Sequence, residues 1–392
     1  MDDFNKPRSP GGVQFAMIAA MRIGVPREIK IQEYRVGLTP SSVRELVALG
    51  HDVIVERDAG SGIGAGDAAY EKAGASVAPS AQEVFARAEM IVKVKEPQAA
   101  ERKLLREGQV LFTYLHLAPD PEQCRDLIRS GAVCIAYETG TQPGGGLPRL
   151  APMSEVAGRM AVQAGAKCLE KEAGGMGILL GGVAGVPPAK IVILGAGVVG
   201  TNAAQIAAGS GARVVVIDRN IDALRRIDRL LGARVVTVYS NRDNIESNVT
   251  TADLVIGAVL LPGAAAPKLV TRALVSRMKP GSVIVDVAID QGGCCETSRP
   301  TTHADPTYVV ENVVHYCVAN MPGAVPRTST YALNNATLPF VLALAGKGWR
   351  AALSADSHLK NGLNVCSGQV TCREVAEALG YPYVEPDSCL KS

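Results

Sequence analysis

Apolar residues follow two alternating patterns along the first part of the chain. Short runs rich in Val, Ile and Leu are separated by segments whose apolar residues recur at helical spacing. Runs of this length predict buried strands, and strands that alternate with helices indicate βαβ units and a parallel sheet. The pattern predicts strands at 22–26, 52–56, 90–95, 109–115 and 132–137.

The alternation resumes after a long helix predicted over 154–173. The pattern then predicts strands at 190–195, 213–218, 234–239, 253–260 and 282–288, with one more near 313–319. The remaining chain reads as helical near 328–346, 347–355 and 368–379, without a further clear strand. Because these helices cannot form a sheet domain alone, we expect them to pack back onto the first set of strands.

A glycine-rich turn follows the strand predicted at 190–195. Gly195, Gly197 and Gly200 form a G-x-G-x-x-G sequence, then comes a short helix, and the next strand ends at Asp218. In this arrangement the glycines allow a tight turn, close approach of a pyrophosphate and close packing of helix on strand. The order predicts a dinucleotide site in which Asp218 holds the adenine-ribose hydroxyls and repels a 2′-phosphate, so NAD is favoured; Arg219 argues the other way.

Together these patterns predict an α/β fold with two Rossmann-like doubly wound domains. Residues 150–326 would form an NAD-binding domain inserted into a discontinuous substrate domain made of 21–149 and 327–392. Residues 1–20 fit neither domain, and we expect a disordered extension there.

Composition narrows the classes of function. The chain has 392 residues, a formal net charge of only +2 and 4% aromatic residues, so neither a basic field nor stacking platforms for nucleic acid are expected. No apolar run reaches the length of a membrane span. Nine scattered cysteines indicate a reducing compartment, and their spacing does not predict a metal site. We therefore expect a cytoplasmic protein without a metal.

Four polar residues lie where ligands bind in open parallel sheets, at or beyond the carboxyl ends of strands. They are Arg35, Lys95, His116 and Asp290. Arg35 and Lys95 could bind a carboxylate, His116 could exchange protons near neutral pH, and Asp290 could attract an amine. Three of them also have a structural alternative: Lys95 could be a solvated charge, His116 a hydrogen-bonded structural histidine, and Asp290 a residue that caps a turn. Arg35 alone carries almost no information.

Several longer stretches make the chain resemble one family. They are EYRVGLTP (33–40), KVKEP (93–97), LFTYLHLA (111–118), LAPMSEVAG (150–158), DLVIGAV (253–259), VDVAIDQGG (285–293) and YCVANMP (316–322). Through these stretches, the chain resembles the alanine dehydrogenase/transhydrogenase family over essentially all of residues 21–390.

The resemblance implies an enzyme that interconverts L-alanine and pyruvate plus ammonia with NAD, and a homohexamer. It implies that Arg35 and Lys95 bind substrate and that His116 and Asp290 are catalytic, with the division of acid and base roles left open. Ser154, Asp218, Ser240 and Asn320 match cofactor-side positions. Two departures are residues 1–20 and Ala223, which stands where some members carry a lysine that contacts the ribose.

Three alternatives remain at this point. The first is the NAD-binding component of a proton-translocating transhydrogenase, which passes hydride to a partner subunit. The second is a non-catalytic NAD-binding module, which the complete set of four polar residues disfavours. The third is a related opine-forming enzyme, which needs a larger substrate pocket.

Overall fold

The structure is a computed structural model that describes residues 20–143, 145–259 and 266–391. All of the predicted N-terminal extension except Ala20 lies outside these residues. None of the helices in the described ranges combines the length and hydropathy needed to cross a membrane.

The first sheet contains eight strands, six of which are parallel. Their order is β15-β14-β6-β5-β4-β1-β2-β3, so the six parallel strands follow the 3-2-1-4-5-6 order of a doubly wound sheet. The direction of winding reverses between β1 and β4. The strands are β1 (Arg22–Val25), β2 (Asp52–Glu56), β3 (Ser76–Ala78), β4 (Met90–Val92), β5 (Val110–Thr113), β6 (Val133–Ala136), β14 (Leu363–Cys366) and β15 (Gln369–Val370).

The prediction that the C-terminal part of the chain adds no strand is wrong. β14 pairs with β6 in antiparallel fashion, and β15 pairs with β14. The two-residue connection Ser367–Gly368 has positive φ at both positions, 49° and 75°, as tight hairpin turns require. These strands are too short to show a two-residue period, which is why the pattern missed them. The tail therefore completes the first sheet as well as packing on it.

The second sheet contains seven strands in the order β12-β13-β11-β10-β7-β8-β9. Apart from the antiparallel edge strand β12, it repeats the same doubly wound order, with its reversal between β7 and β10. The strands are β7 (Lys190–Leu194), β8 (Arg213–Asp218), β9 (Val235–Tyr239), β10 (Leu254–Gly257), β11 (Val283–Asp286), β12 (Thr307–Val310) and β13 (Val313–Tyr316).

Helices cover both faces of both sheets. On the first sheet they are α1 (Pro40–Ala48), α2 (Asp67–Lys72), α3 (Ala81–Arg87), α4 (Ala99–Arg102), α5 (Pro121–Ser130), α11 (Pro326–Lys347), α12 (Trp349–Ala355), α13 (Ser357–Lys360), α14 (Arg373–Leu379) and α15 (Pro386–Leu390). On the second they are α7 (Val198–Gly209), α8 (Ile221–Leu231), α9 (Arg242–Val249) and α10 (Arg272–Val275), while α6 (Ala151–Cys168) joins the sheets.

Each sheet has one apolar core on each face. Helix α6 belongs to two of these cores, because Met153 and Val156 pack into a core of the first sheet and Ala161 and Val162 into a core of the second. The helix is shorter than predicted, since it ends at Cys168 and a separate short 3-10 turn covers Lys171–Ala173. Its N-terminal turn therefore lies at the boundary between the sheets, near the strand ends that carry the candidate site.

Candidate active site

The glycine turn leaves β7, next to the reversal point of the second sheet. A Cβ on Gly195, which has φ +112°, would lie 2.5 Å from the carbonyl oxygen of Ala258. A Cβ on Gly200 would lie 1.8 Å from the carbonyl oxygen of Gly195, whereas nothing lies within 4 Å of a Cβ on Gly197. The first and third glycines therefore permit close packing, and the second leaves open space at the N-terminus of α7. This is the geometry that a bound pyrophosphate needs.

Asp218 lies at the end of the neighbouring strand β8 and is hydrogen-bonded to the glycine turn. Its Oδ2 accepts from the backbone N–H of Ala196 at 2.6 Å, and its Oδ1 accepts from that of Asn220 at 2.7 Å. Ser240, at the end of β9, donates its backbone N–H to the carbonyl of Asp218 at 3.0 Å. These contacts bring two of the predicted cofactor positions together. Ala223 is buried in the first turn of α8.

Arg35 is buried in the loop after β1 and is paired with Glu33. Its Nε donates to Glu33 Oε1 at 2.6 Å and its Nη2 to Glu33 Oε2 at 2.5 Å, in a two-point ion pair. Nη2 also donates to Asn320 Oδ1 at 2.8 Å, and Nη1 faces the sulfur of Met153 at 3.0 Å. The ion pair lowers the pKa of Glu33 to about 2 against the effect of its burial.

Asn320 therefore reaches across to the first sheet. It follows β13 in the left-handed conformation, with φ +70°, and its Nδ2 donates to Glu33 Oε2 at 3.1 Å. From the sequence, Asn320 was predicted only on the cofactor side. In the structure its side chain contacts the predicted substrate-binding residue Arg35. Ser154 is half-buried in the first turn of α6, one residue after Met153, which also contacts Arg35.

Lys95 lies three residues beyond the end of β4, on the other side of the reversal point. Burial and the nearby positive charge of Arg35 lower the pKa of Lys95, whereas the carboxylates of Glu96 and, more weakly, Asp290 act in the opposite direction. No hydrogen bond to its ammonium is found among the described residues. Lys95 is therefore a partly buried cation whose charge an added carboxylate would stabilise.

A buried ion-pair network holds the strand end that carries Lys95. Lys93 is fully buried, and its Nζ contacts Glu28 Oε2 at 3.0 Å and Glu101 Oε1 at 2.6 Å. Glu28 Oε1 accepts from the backbone N–H groups of Val94 and Lys95, at 2.7 and 3.2 Å. Although burial disfavours the charge of Lys93, the two carboxylates raise its pKa to about 12. The carboxylate of Glu28 therefore holds both the backbone at Val94 and Lys95 and the ammonium of Lys93.

His116 lies in the loop after β5 in a conformation that non-glycine residues seldom adopt. Its φ is +49°, and its backbone N–H donates to Glu138 Oε1 at 2.6 Å. The same carboxylate accepts from the N–H of Leu115 and lies 3.8 Å from His116 Nδ1. The imidazole stacks on Tyr114, with ring centroids 5.6 Å apart. Glu138 therefore holds the loop and lies beside one ring nitrogen, while the side chain of His116 is 43% exposed.

Asp290 lies on the opposite side of this cleft, in a 3-10 turn after β11. The turn covers Val287–Gln291, and Asp290 is exposed. Its carboxylate and the Arg35 guanidinium both contribute to the pKa of Lys95, so the three charges share one electrostatic environment. The ring of His116 is in contact with Tyr114.

Three acidic residues that organise the site were not predicted from the sequence: Glu28, Glu33 and Glu138. Each is buried or nearly so. Glu33 and Glu138 each stand close in sequence to a strand end or to a predicted site residue, which is a signal that could have drawn attention to them. Glu28 and Glu138 have their partners on distant segments, so those pairings are visible only in the fold, whereas Glu33 pairs with Arg35 on the same loop.

Asp286, Cys294 and Cys295 are buried with their ligand atoms within 4.8 Å of one another. The carboxylate already accepts four hydrogen bonds, from Ala288, Cys294, Cys295 and Ser298. The neighbouring thiol and burial raise the pKa of Cys294 well above its usual range, which disfavours the thiolate that a metal would require. The other seven cysteines are also buried.

Two family models match most of the chain: the alanine dehydrogenase/PNT N-terminal domain over residues 24–157 and its C-terminal domain over 161–373. An alanine dehydrogenase of Halomonas elongata is 62% identical over 94% of this chain and all of its own length. A solved L-alanine dehydrogenase superposes with a TM-score of 0.90 at 55% identity, covering 92% of this chain and 99% of its own.

A transhydrogenase from Sinorhizobium meliloti is more distant. It superposes with a TM-score of 0.78 at 27% identity, covering 89% of this chain and all of its own. Both enzyme classes share the two doubly wound sheets, and the identity is twice as high on the dehydrogenase side. The chain belongs to the alanine dehydrogenase/PNT family, whose enzymes depend on pyridine nucleotides.

Proposed function

We propose that this enzyme is an NAD-dependent L-alanine dehydrogenase, which converts L-alanine and water to pyruvate and ammonia, reversibly. One observation carries the proposal: the partly buried ammonium of Lys95 lies within electrostatic reach of the Arg35 guanidinium and of the Asp290 carboxylate. An α-amino acid presents a carboxylate and an ammonium, which match this charge pattern. The 62% identity to an alanine dehydrogenase supports alanine as the amino acid.

Lys95 contributes most of the charge that binds the substrate carboxylate. Arg35 has already paired Nε and Nη2 with Glu33 and Asn320, so its Nη1 edge is the part left to meet a second acid. Lys95 has a pKa lowered by burial and by Arg35, and binding of an anion relieves that cost. The two residues fix the carboxylate and thereby the position of Cα.

The residues of the second sheet fit NAD. Open space above Gly197 at the N-terminus of α7 suits a pyrophosphate, and Asp218 suits the ribose hydroxyls while repelling a 2′-phosphate. Ser154, Ser240 and Asn320 would complete the cofactor side. When bound, NAD supplies the acceptor for the hydride that leaves Cα.

His116 and Asp290 handle the protons of the reaction. Loss of a proton from the alanine ammonium frees the nitrogen lone pair, which forms the C=N bond as hydride leaves Cα, and water later adds to the carbon of that imine. Both steps need a group that accepts and returns protons near neutral pH, which suits His116. Glu138 lies beside His116 Nδ1, which leaves Nε2 directed away from it and available to substrate. Asp290 attracts the cationic nitrogen.

The domain division and the assembly are part of the same proposal. The membership of the two sheets supports a substrate domain built from 21–149 and 327–392 and an inserted NAD domain at 150–326. Exposed apolar side chains on one loop of the second lobe support a homo-oligomer, and the family resemblance suggests a hexamer: Leu179, Val183 and Val186 are 64, 61 and 57% exposed. We propose a cytoplasmic location.

The test is NADH formation from L-alanine at alkaline pH, with L-serine, L-lysine and NADP as controls. Turnover of alanine with NAD and little with NADP is the expected result. If NADH binds but no amino acid reacts, the dehydrogenase proposal fails and the NAD-binding component of a transhydrogenase takes its place. Preference for lysine with a keto acid would indicate the opine-forming alternative.

A further inference from the structure

Asp290 has little of its own to hold it in place. It is exposed, and no hydrogen bond to its side chain is found in the part of the chain that the structure describes. Its position therefore depends on the backbone of the loop that carries it, residues 287–295. This loop begins with the 3-10 turn Val287–Gln291 and continues through Gly292 and Gly293, whose φ values are +87° and +78°.

A buried carboxylate holds the loop from below. Asp286, the last residue of β11, is fully buried, and its Oδ1 accepts from the N–H of Ala288 at 3.2 Å. Its Oδ2 accepts from the N–H groups of Cys294 and Cys295, at 2.8 and 3.2 Å, and from Ser298 Oγ at 2.6 Å. Asp286 thus joins both ends of the segment that contains Asp290.

The packing leaves no room for another side chain near this carboxylate. A Cβ on Gly293 would lie 2.7 Å from Asp286 Oδ2, and a Cβ on Gly257 would lie 2.8 Å from Asp286 Oδ1. No ion pair to Asp286 is found among the described residues, so backbone N–H groups and one hydroxyl compensate its charge. A buried charge satisfied in this way imposes one loop geometry, because each lost hydrogen bond is costly.

An ammonium group holds the same loop from outside. Lys268 Nζ donates to the carbonyl oxygens of Gly292, Gly293 and Cys295, the last two at 2.9 and 3.2 Å. Three acceptors match the three protons of a lysine ammonium. The loop is therefore bound through its N–H groups by an anion and through its C=O groups by a cation.

We propose that Asp286 and Lys268 are positioning residues for Asp290, which hold its loop in the reactive geometry before substrate arrives. The inference rests on the proposed function, because it assigns their effect to the step that Asp290 serves. Neither residue lies among the predicted binding groups. Their loss changes turnover more than binding, since a displaced reactive group slows the chemical step.

A comparable pair of a carboxylate and an ammonium lies at the amino ends of the strands of the same sheet. Asp253, before β10, accepts from the backbone N–H of Lys190 at 2.7 Å and pairs with Lys279 Nζ at 2.7 Å. It is also buried, and Lys279 is partly exposed. Asp253→Asn and Lys279→Met therefore remove a comparable carboxylate and ammonium far from Asp290.

The experiment compares Asp286→Asn, Lys268→Met and Lys268→Arg with Asp253→Asn and Lys279→Met. For each variant we would measure kcat, KM for alanine, the Kd of NADH, Tm and amide hydrogen exchange at residues 292–295. We expect kcat to fall about 100-fold in Asp286→Asn and about tenfold in Lys268→Met. KM and Kd should change less than about threefold, Lys268→Arg should retain most activity, and exchange should rise in the first two variants.

The controls should lose a similar Tm while they keep kcat. The inference is overturned if the kcat of Asp286→Asn and Lys268→Met falls no further than in the matched controls, or if Lys268→Arg is as impaired as Lys268→Met. If Asp286→Asn does not fold, the two Lys268 variants decide alone. Failure of the wild-type enzyme to oxidise alanine would instead refute the proposed function, which separates the two results.

Discussion

The carboxyl edges of the two sheets build their sites in opposite ways. At the edge of the eight-stranded sheet, the site consists of polar side chains, and carboxylates hold them in place by hydrogen bonds. Glu33 holds Arg35, and Glu138 holds the His116 loop. At the edge of the seven-stranded sheet, the glycine turn works through missing side chains. Gly200 and Gly195 approach so closely that a Cβ would lie 1.8 Å from a backbone oxygen.

We attribute this difference between two sheets of the same strand order to the ligands that we propose for them. A small zwitterion offers two charges, which only charged side chains in fixed positions can recognise. A pyrophosphate offers many oxygens, which backbone N–H groups at a helix N-terminus can bind without any side chain. We therefore expect function at the edge of the eight-stranded sheet to be lost when side-chain atoms are removed. At the edge of the seven-stranded sheet, we expect it to be lost when side-chain atoms are added.

The largest loss is expected when the proton-handling residues are removed. His116→Ala and Asp290→Asn should lower kcat by about 10² to 10⁴-fold, as for other general acids and bases. NADH binding, measured by fluorescence titration, should be unchanged because the substitutions leave intact the glycine turn and Asp218, which we propose to hold the cofactor. His51→Ala is the control, since His51 precedes β2 at the opposite edge of the sheet. Near-normal turnover in either variant would remove that residue from the mechanism.

The sequence predicted more of the second edge than of the first. The glycine turn and Asp218 are local in the chain, so their spacing alone identifies them. Arg35, Lys95 and His116 on the first sheet and Asp290 on the second were selected because ligands bind beyond the carboxyl ends of parallel strands. The carboxylates that orient them were missed; Glu28, for example, meets Lys93 only because positions 65 apart in the sequence come together in the fold.

The layers of the fold were predicted correctly, but the prediction that the C-terminal part adds no strand was wrong. Strands with long β-branched runs were found because burial on both faces leaves a continuous apolar signal. β14 and β15 have four and two residues, too few for any period to appear, and Asn364 interrupts the apolar run. Asn320 was assigned to one lobe only, since contacts between lobes leave no trace in local spacing.

The next largest effect tests whether buried cations on the first sheet need partners. Lys93→Met leaves Glu28 and Glu101 buried without their cation, which should cost about 3–5 kcal/mol of unfolding free energy. Arg149 is also buried, but its Nη1 and Nη2 have no hydrogen-bond partner among the described residues, and it packs on the ring of Phe340 at 4.3 Å. Arg149→Met should therefore be neutral or stabilising.

Urea unfolding of both variants measures this contrast directly. Both changes remove one buried positive charge and insert the same side chain, so each serves as the control for the other. Equal destabilisation would mean that both cations contribute through their volume, and it would contradict a special role for the carboxylates paired with Lys93. Tyr114 donates to the backbone oxygen of Arg149, a bond that the substitution keeps.

A smaller effect is expected when an atom is added at the second edge. Gly200→Ala should weaken NADH binding about tenfold to 100-fold, because overpacking costs about 1–3 kcal/mol and here displaces the backbone of Gly195. Gly209→Ala is the matched control: it lies in the same helix, α7, with nothing within 4 Å of an added Cβ. Isothermal titration of NADH should leave that variant unchanged, and equal weakening in both would contradict the packing argument.

The smallest effect concerns the carboxylate beside His116. Glu138→Gln should lower kcat about tenfold, since it removes one charge-assisted hydrogen bond from the loop that holds His116 in the left-handed conformation. Binding of NADH should not change. Glu56→Gln is the control, because Glu56 is also buried at the end of a strand of this sheet and accepts the backbone N–H of Arg27.

The two glutamate variants separate position from stability. Both lose a buried carboxylate that accepts backbone hydrogen bonds, so both should lower Tm. Only Glu138 lies 3.8 Å from His116 Nδ1, so only its loss should reduce kcat. If Glu56→Gln were equally slow, the buried carboxylates would act by stabilising the sheet as a whole, and the contrast between the two edges would not hold for catalysis.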